Sequence, residues 1–474
     1  MTRSDLVATS PLAALGLTAV AIVLAVSVRR HHATALAITL AGFAIALAAL
    51  APAAGAAPAA AGELFVVDDL SLLVTGLLVA ASAVVALLSR PYLARVTDRP
   101  EEYYALLVIA AAGGAALAST DHLAGLLIAV ETMSVALYGL IAYARERRLS
   151  IEAALKYLIM TGAASAVLLF GAALIYADTG GLSFDAIAAR AADGALADLG
   201  LAGIALVVAG LAFKLAIAPF HMWVADVYQG APAPVSALIA TVSKGAVVIV
   251  LFRMLAVTGA LDHPEPAAIL SALAVLSMIA GNLLALLQKR IKRLLAYSSI
   301  AHLGYLLVAV IAAGPAGLGA TLLYLAAYFL MTLLAFGVVT ALSTAEGDAD
   351  SIEAYRGLCY RRPLLGIALV LSMLSLIGVP LTAGFIAKVY VLAAAAQGAL
   401  WGLVVAVAVT TAIGAFYYVR VILVTLTRPD AAELETRTSV ETGALLAALA
   451  IALVLVGVAP WVFDPLLARA AAIL

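Results

Sequence analysis

The chain is poor in the residues that hold soluble or secreted proteins together. A single cysteine, Cys359, in 474 residues excludes a disulfide framework and any cysteine-ligated zinc or iron–sulfur site within the chain. Charged residues are 11% of the sequence, far below the share of an ordinary soluble domain. The net charge of −1 says nothing about partners, because the charges are segregated along the chain, and no nucleic-acid partner is expected. There is no GxxxxGK[ST] phosphate loop, no GxGxxG in a strand–helix setting and no HExxH. The six histidines are scattered, with His31 and His32 on one loop and His122 and His263 on loops of the opposite side. No metal, haem or other cofactor is therefore expected in this chain. The start, 1–17, lacks the basic region and cleavage site of a secretory signal and reads as the opening of a first span.

What is abundant is hydrophobicity, at 66% of all residues. A membrane span needs about 20 mostly apolar residues, and the sequence offers about fourteen such stretches. The expected fold is an all-α polytopic membrane protein. The loop at 178–199 has room for a short surface helix, and 343–362 is polar. Neither is long enough for a separate soluble domain.

Lysine and arginine orient the chain. The odd-numbered loops hold Arg29, Arg30, Arg90, Arg95, Arg99, Arg145, Arg147, Arg148, Lys289, Arg290, Lys292, Arg293, Arg356, Arg361, Arg362, Arg428 and Arg437. The even-numbered loops and the two ends hold only Arg3, Arg190 and Arg469. The positive-inside rule then puts the odd loops in the cytoplasm and both termini in the periplasm of a bacterial inner membrane.

Six basic residues fall at or within spans: Lys156, Lys214, Lys244, Arg253, Lys388 and Arg420. Four of these are lysines, although the loops are served almost wholly by arginine. Lysine can lose its proton when desolvated, whereas arginine effectively cannot. Lys214 sits in LAFKLAIAPFHMWVADVYQGAPAPVSALIATVSK (211–244), an apolar helix broken at Pro219 and followed by a span carrying Lys244. A bilayer tolerates such a break only where protein or a wet cavity covers it. The stretch LSLIGVPLTAGFIAKVYVL (374–392) echoes it, with Pro380, Gly384 and Lys388. Ala225-Asp226-Val227-Tyr228 recurs as Ala387-Lys388-Val389-Tyr390. The two breaks lie five spans apart and so face opposite ways. This predicts two inverted five-helix repeats with two discontinuous helices, the pattern that marks transport sites. The expected divisions are an N-terminal three-helix segment (1–102), a first repeat (103–256), a second (257–427) and a C-terminal helix (428–474).

Glu131 is the one acid deep within a span, where acids are functional by default, and Lys214 is its candidate partner; a structural contact between helices is the lesser alternative. His221 follows the first break and suits a proton relay or a hydrogen-bonded helix end. Lys156 lies near a span end, where snorkelling to the surface competes with a functional role. Ser298, Ser299 and His302 share one helical face, as a wet polar stripe or as glue between helices.

These segments resemble the antiporter-like membrane subunits of bacterial NADH–quinone oxidoreductase, respiratory complex I, and in DVYQGAPAPVS the subunit N pattern among them. IKRLLAYSSIAHLGYLLVA, the Glu131 span and GVPLTAGFIAKVYVL carry the rest of the likeness. The resemblance implies a proton-translocating subunit of that enzyme, with no complete catalytic site of its own. Glu131, Lys214, Lys244, Lys388, His221, His302 and Lys156 would be its site residues. NADH, FMN, iron–sulfur clusters and quinone would belong to partner subunits. The partners implied are the other membrane-arm subunits (M, L with its lateral helix, K and, farther off, J, A and H), together with lipid. Rival readings are a sodium/proton antiporter, a membrane-bound hydrogenase subunit and a structural spacer.

Overall fold

A computed structural model describes residues 3–192, 196–428 and 439–471. Asp193 and Arg437 lie outside the described residues.

The chain opens with α1 (Arg3–Ala8), α2 (Ser10–Val28) and α3 (His32–Ala56), followed by a two-stranded hairpin, β1 (Ala59–Ala61) with β2 (Phe65–Val67), and by α4 (Asp69–Val96). Next come α5 (Glu101–Ala118), α6 (Leu123–Ile141), α7 (Arg148–Thr179) and the short α8 (Phe184–Ala192). The first interrupted helix is α9 (Asp198–Leu215) with α10 (Val224–Gly230). A long passage follows as α11 (Ala233–Leu238), a π turn at Ile239–Ser243 and α12 (Lys244–Val257). Then come α13 (Pro264–Leu286), α14 (Ile291–Ile311), α15 (Gly314–Leu342) and the short α16 (Leu358–Arg361). The second interrupted helix is α17 (Pro363–Ile377) with α18 (Ala383–Gln397). The described chain closes with α19 (Trp401–Leu426), α20 (Val440–Val458) and α21 (Asp464–Ala471).

Thirteen passages among the described residues are long and apolar enough to cross a membrane, and α17–α18 add an interrupted one. The protein is an all-α, multi-pass membrane protein. Small residues let its helices pack closely. A Cβ at Gly203 on α9 would stand 2.7 Å from the carbonyl oxygen of Gly171 on α7, so these backbones meet where side chains would normally intervene.

The connections segregate as the charges predict. On one face β2 pairs with Thr120, and His122 pairs with Ser183. On the other, Arg290 pairs with Ser351, and Arg147 donates to the carbonyls of Thr344 and Ala345. α1 packs on β1, and α21 packs beside the start of α15, so both lie on the arginine-poor face.

The centre is set by burial. The Ala233–Val257 passage is wholly buried, and α14 and α15 are nearly so, whereas α2 and α7 show much apolar surface to the outside. α14 touches α10 of the first interrupted helix and α18 of the second. It thus packs against both interrupted helices, and α15 packs beside it against α11 and the π turn.

Candidate functional site

The two breaks are built by the same backbone hydrogen bonds, displaced by 162 residues. Ala216 N–H donates to the carbonyls of Ala212 and Phe213, and Ile217 N–H to Ala212. At the second break Gly378 N–H donates to Leu374 and Ser375, and Val379 N–H to Leu374. Phe220 to Ile217 then corresponds to Thr382 to Val379. Both helices end on a left-handed residue, Ala216 at φ 59° and Gly378 at φ 88°. This is the usual way of closing a helix whose last carbonyls lack partners.

Each break is covered by protein. Ala218 N–H, freed at the first, donates to Ser277 Oγ on α13 at 2.9 Å. The second lies against α20, where a Cβ on Gly457 would stand 2.5 Å from the carbonyl oxygen of Leu381. A serine hydroxyl thus takes up the backbone N–H four residues after Lys214.

Lys214 is in the last turn of α9, its side chain 3% exposed. Its Nζ donates to Ser134 Oγ at 2.8 Å and lies 3.6 Å from Glu131 Oε1. Ser134 is three residues after Glu131 on α6, so one helix face presents both. Ser165 Oγ on α7 donates to the same Glu131 oxygen. The predicted pair is therefore formed, but Glu131 is not deep inside the chain: its side chain is 41% exposed on the outer flank of α6. Sequence position gave its depth along the helix and not the direction in which it faces.

Lys244 follows the π turn and is 1% exposed. Its Nζ donates to Ser299 Oγ at 2.5 Å and sits 5.3 Å from the centre of the Tyr228 ring. Tyr228 Oη and Ser299 Oγ are 3.4 Å apart. Ser299, His302 and Tyr305 recur every three residues on α14 and line one face. His302 Nδ1 is 2.8 Å from Tyr324 Oη, and Nε2 is 3.2 Å from Tyr418 Oη. Tyr418 Oη is in turn 2.5 Å from Ser298 Oγ. Lys388 Nζ lies 5.1 Å from the Tyr305 ring centre and donates to the carbonyls of Leu376 (3.1 Å) and Ile377 (2.8 Å). Thus Lys388, on the far half of its break, reaches back to cap the near half. Both ring contacts are close enough for a cation–π attraction.

A family model described as "NADH:quinone oxidoreductase/Mrp antiporter, TM" matches residues 120–414. NADH-quinone oxidoreductase subunit N of Ectopseudomonas mendocina is 45% identical over 429 residues, which are 89% of this chain and 87% of that one. This chain belongs to the subunit N family of NADH-quinone oxidoreductase. A chain in the structure of respiratory complex I from Thermus thermophilus with bound aureothin superposes with TM-score 0.83 at 37% identity, over 97% of this chain and 99% of that one. A chain of the Mrp complex from Dietzia shares the fold, with TM-score 0.86 at 21% identity, over 100% of this chain and 97% of that one.

In this subunit N relative the remaining predicted residues are spread out. His221 lies in the turn after the first break, half-buried, and its Nδ1 has no protein partner. Lys156 stays at the surface, 44% exposed, paired at 2.8 Å with Glu152 and with Asp226. Neither joins the α14 face. Arg253 forms a buried two-pronged pair with Asp68 at 2.6 and 2.9 Å, tying the N-terminal helices to α12. Arg420 donates to the carbonyls of Leu286 and Gln288 and so closes the end of α13. Among the described residues no cluster of His, Cys, Asp or Glu is placed to ligate a metal ion.

Three features escaped sequence reading. Tyr324 and Tyr418, which meet His302, look like ordinary apolar residues of their spans. Ser134 and Ser165, which hold the first pair, look like helix filler. Lys292, counted as a loop residue, is fully buried. Its Nζ lies 2.6 Å from both Asp348 Oδ2 and the Ala231 carbonyl oxygen. Arg147 and Tyr92 donate to the other Asp348 oxygen at 2.8 and 2.7 Å. Burial alone would push the Asp348 carboxyl up, but the Lys292 ammonium, the Tyr92 hydroxyl and Arg147 outweigh it and hold the group below its usual range. One acid among four in a polar loop, beside Glu346, Asp350 and Glu353, gave no sign of this.

Proposed function

We propose that the chain is a proton-translocating membrane-arm subunit of NADH–quinone oxidoreductase, moving protons from the cytoplasm to the periplasm. The observation that carries this reading is the α14 face. Ser299, His302 and Tyr305 join Lys244 to Lys388 through the most buried part of a membrane protein. Ionisable groups at that depth are costly to keep and are functional by default. Family membership supports the same reading, as does the arginine-rich face, which the positive-inside rule assigns to the cytoplasm.

The mechanism follows from the partners. A proton held on Lys214 is stabilised by the Glu131 carboxylate. Two unit charges 3.6 Å apart attract by about 5 kcal/mol at an effective dielectric of ~20. Withdrawing that carboxylate, as quinone reduction elsewhere in the complex displaces charge along the arm, lets Lys214 hand its proton on. Lys244, the Ser299 hydroxyl, His302 and its tyrosines then form the relay, with water completing it. Lys388 holds the proton before release on the arginine-poor face. In this scheme 103–256 is the intake half and 257–427 the exit half. His221 and Lys156 lie on the intake side. NADH, FMN, iron–sulfur clusters and quinone act in partner subunits, with M, L and K as the neighbouring membrane subunits.

The test uses the assembled complex in sealed vesicles, with NADH oxidation and proton uptake measured together. Lys244→Ala is expected to lower protons moved per electron with assembly intact. Unchanged pumping by both Lys244→Ala and Lys388→Ala would end this reading.

A further inference from the structure

The site described so far leaves one charged node unused. Asp226 is the third charged residue of the first interrupted helix, after Asp198 and Lys214, and stands on the seven-residue α10. With the 162-residue displacement of the two breaks it corresponds to Lys388. Lys388 turns inward to its own break, whereas Asp226 turns outward to other helices. Its Oδ2 accepts from Lys156 on α7 at 2.8 Å. Its Oδ1 accepts from Arg293 on α14 at 2.6 Å, and Arg293 also donates to Gln229 at 3.1 Å. The next residue of α14, Lys292, holds the Ala231 carbonyl just past α10. Consecutive cations of α14 thus hold both the body and the end of α10.

That grip has an evident load. Two residues after Asp226, Tyr228 places its ring beside Lys244 and its hydroxyl beside Ser299. α10 is too short to hold its own orientation, since an isolated helix in water becomes stable only above about 12 residues. It is also cut from α9 by the break. Its rotation must be fixed from outside. We propose that Asp226, bridging Lys156 and Arg293, is a positioning residue that fixes α10 and thereby holds Tyr228 against the Lys244–Ser299 pair. Lys156 then acts through Tyr228 and not as a station on the proton path. Arg293 does the same from the other side and ties α10 to the helix that carries Ser299, His302 and Tyr305. The proposal rests on the proton-translocating reading above.

The experiment measures protons moved per electron by the assembled complex in sealed vesicles, with Lys244→Ala as reference. Asp226 is 37% exposed at its side chain, so its pairs are worth less than buried ones. Loss of both predicts about a fivefold fall in pumping for Asp226→Asn. Lys156→Gln and Arg293→Gln each give a smaller fall, the double variant matches Asp226→Asn, and Asp226→Glu recovers most of the loss. The deciding arm is made on a Tyr228→Leu background. There Asp226→Asn adds no further loss, because the residue through which it acts is gone. If Asp226→Asn and the Lys156/Arg293 double variant pump normally while Lys244→Ala does not, the positioning role is wrong and the function stands. Additive losses on the Tyr228→Leu background also overturn it, since they mean a purely structural or separate effect. Normal pumping by both Lys244→Ala and Lys388→Ala rejects the underlying function instead. Should Asp226→Asn fail to assemble, the Lys156/Arg293 double variant carries the same comparison.

Discussion

The two interrupted helices share a backbone and use it differently. In the first, the lysine stands before the break and reaches sideways to an acid on another helix, Glu131, which is 41% exposed at the flank of the chain. In the second, the lysine stands after the break and reaches back to the neutral carbonyls of Leu376 and Ile377. The far half of the first is gripped by charges from Lys156, Lys292 and Arg293. Among the described residues no ion pair reaches α18, which is held by packing against α15 and α20. One backbone solution thus serves a lysine whose partner charge is open to influence from outside and a lysine enclosed by dipoles. A charge at the flank stands next to the first lysine, whereas the second is reached through the helices packed on α18, α14 and α15 among them.

The largest expected effect breaks or confirms that division. Lys214→Ala and Lys388→Ala should each lower protons moved per electron by more than about tenfold, the scale of a lost proton-transfer group. Glu131→Gln should resemble Lys214→Ala, whereas no single neutralised acid should reproduce Lys388→Ala. An acid that does so would show a hidden partner at the second break.

The next effect concerns how the far halves are held. Asp348→Asn leaves the buried Lys292 and the half-buried Arg147 without their countercharge, and removing one partner of a buried pair costs about 3–5 kcal/mol. The sign with pH follows from the lowered value of Asp348. Its contribution is complete above the unfolded carboxylate value of about 3.9 and is lost as pH falls through the lower folded value. The stability gap between parent and Asp348→Asn, measured by thermal unfolding in detergent, should be constant near neutrality and close in acid. A gap that widens in acid would contradict the assignment.

Packing at the second break comes next. Gly457→Leu forces side-chain atoms against the backbone of Leu381 and Thr382 and should cost about 1–3 kcal/mol by overpacking. A Leu at Gly402, where nothing lies within 4 Å, is the matched control.

The smallest effect compares the left-handed caps themselves. A Cβ on Gly378 would meet Lys388 Cδ at 3.0 Å in a backbone region that disfavours side chains, so Gly378→Ala should cost about 1–2 kcal/mol. Ala216 already bears that strain, and Ala216→Gly should be neutral or gain up to about 1 kcal/mol. Equal and like-signed shifts would mean that the two caps are not equivalent.

Much of this was legible in the sequence. Apolar runs gave the passages, and arginine bias gave their two faces, because a bilayer constrains both strongly. Pro219 and Pro380 gave the breaks, since nothing else interrupts a span so plainly. The spacing of Ser298, Ser299 and His302 gave the α14 stripe. What the residues did not show depends on rotation and long-range contact. Glu131 reads as buried because hydropathy reports depth in the membrane and not facing. Lys292 and Asp348 read as loop charges because their partners lie 56 residues apart along the chain. Tyr324 and Tyr418 are silent because an aromatic ring in a span fits an apolar pattern whether or not its hydroxyl is used.

The π turn at Ile239–Ser243 makes the position of Lys244 a matter of phase. Each residue of an α-helix advances the side chains by roughly 100°, so one extra residue in a widened turn rotates everything beyond it by about that much. Were this turn to tighten to regular α geometry, Lys244 would swing about a quarter revolution from Ser299 without leaving its depth in the membrane. The contact between the two halves of the molecule therefore depends on one surplus residue as well as on its lysines. Regularising this turn with every residue kept would leave every charged and polar group on the route intact and still misalign it.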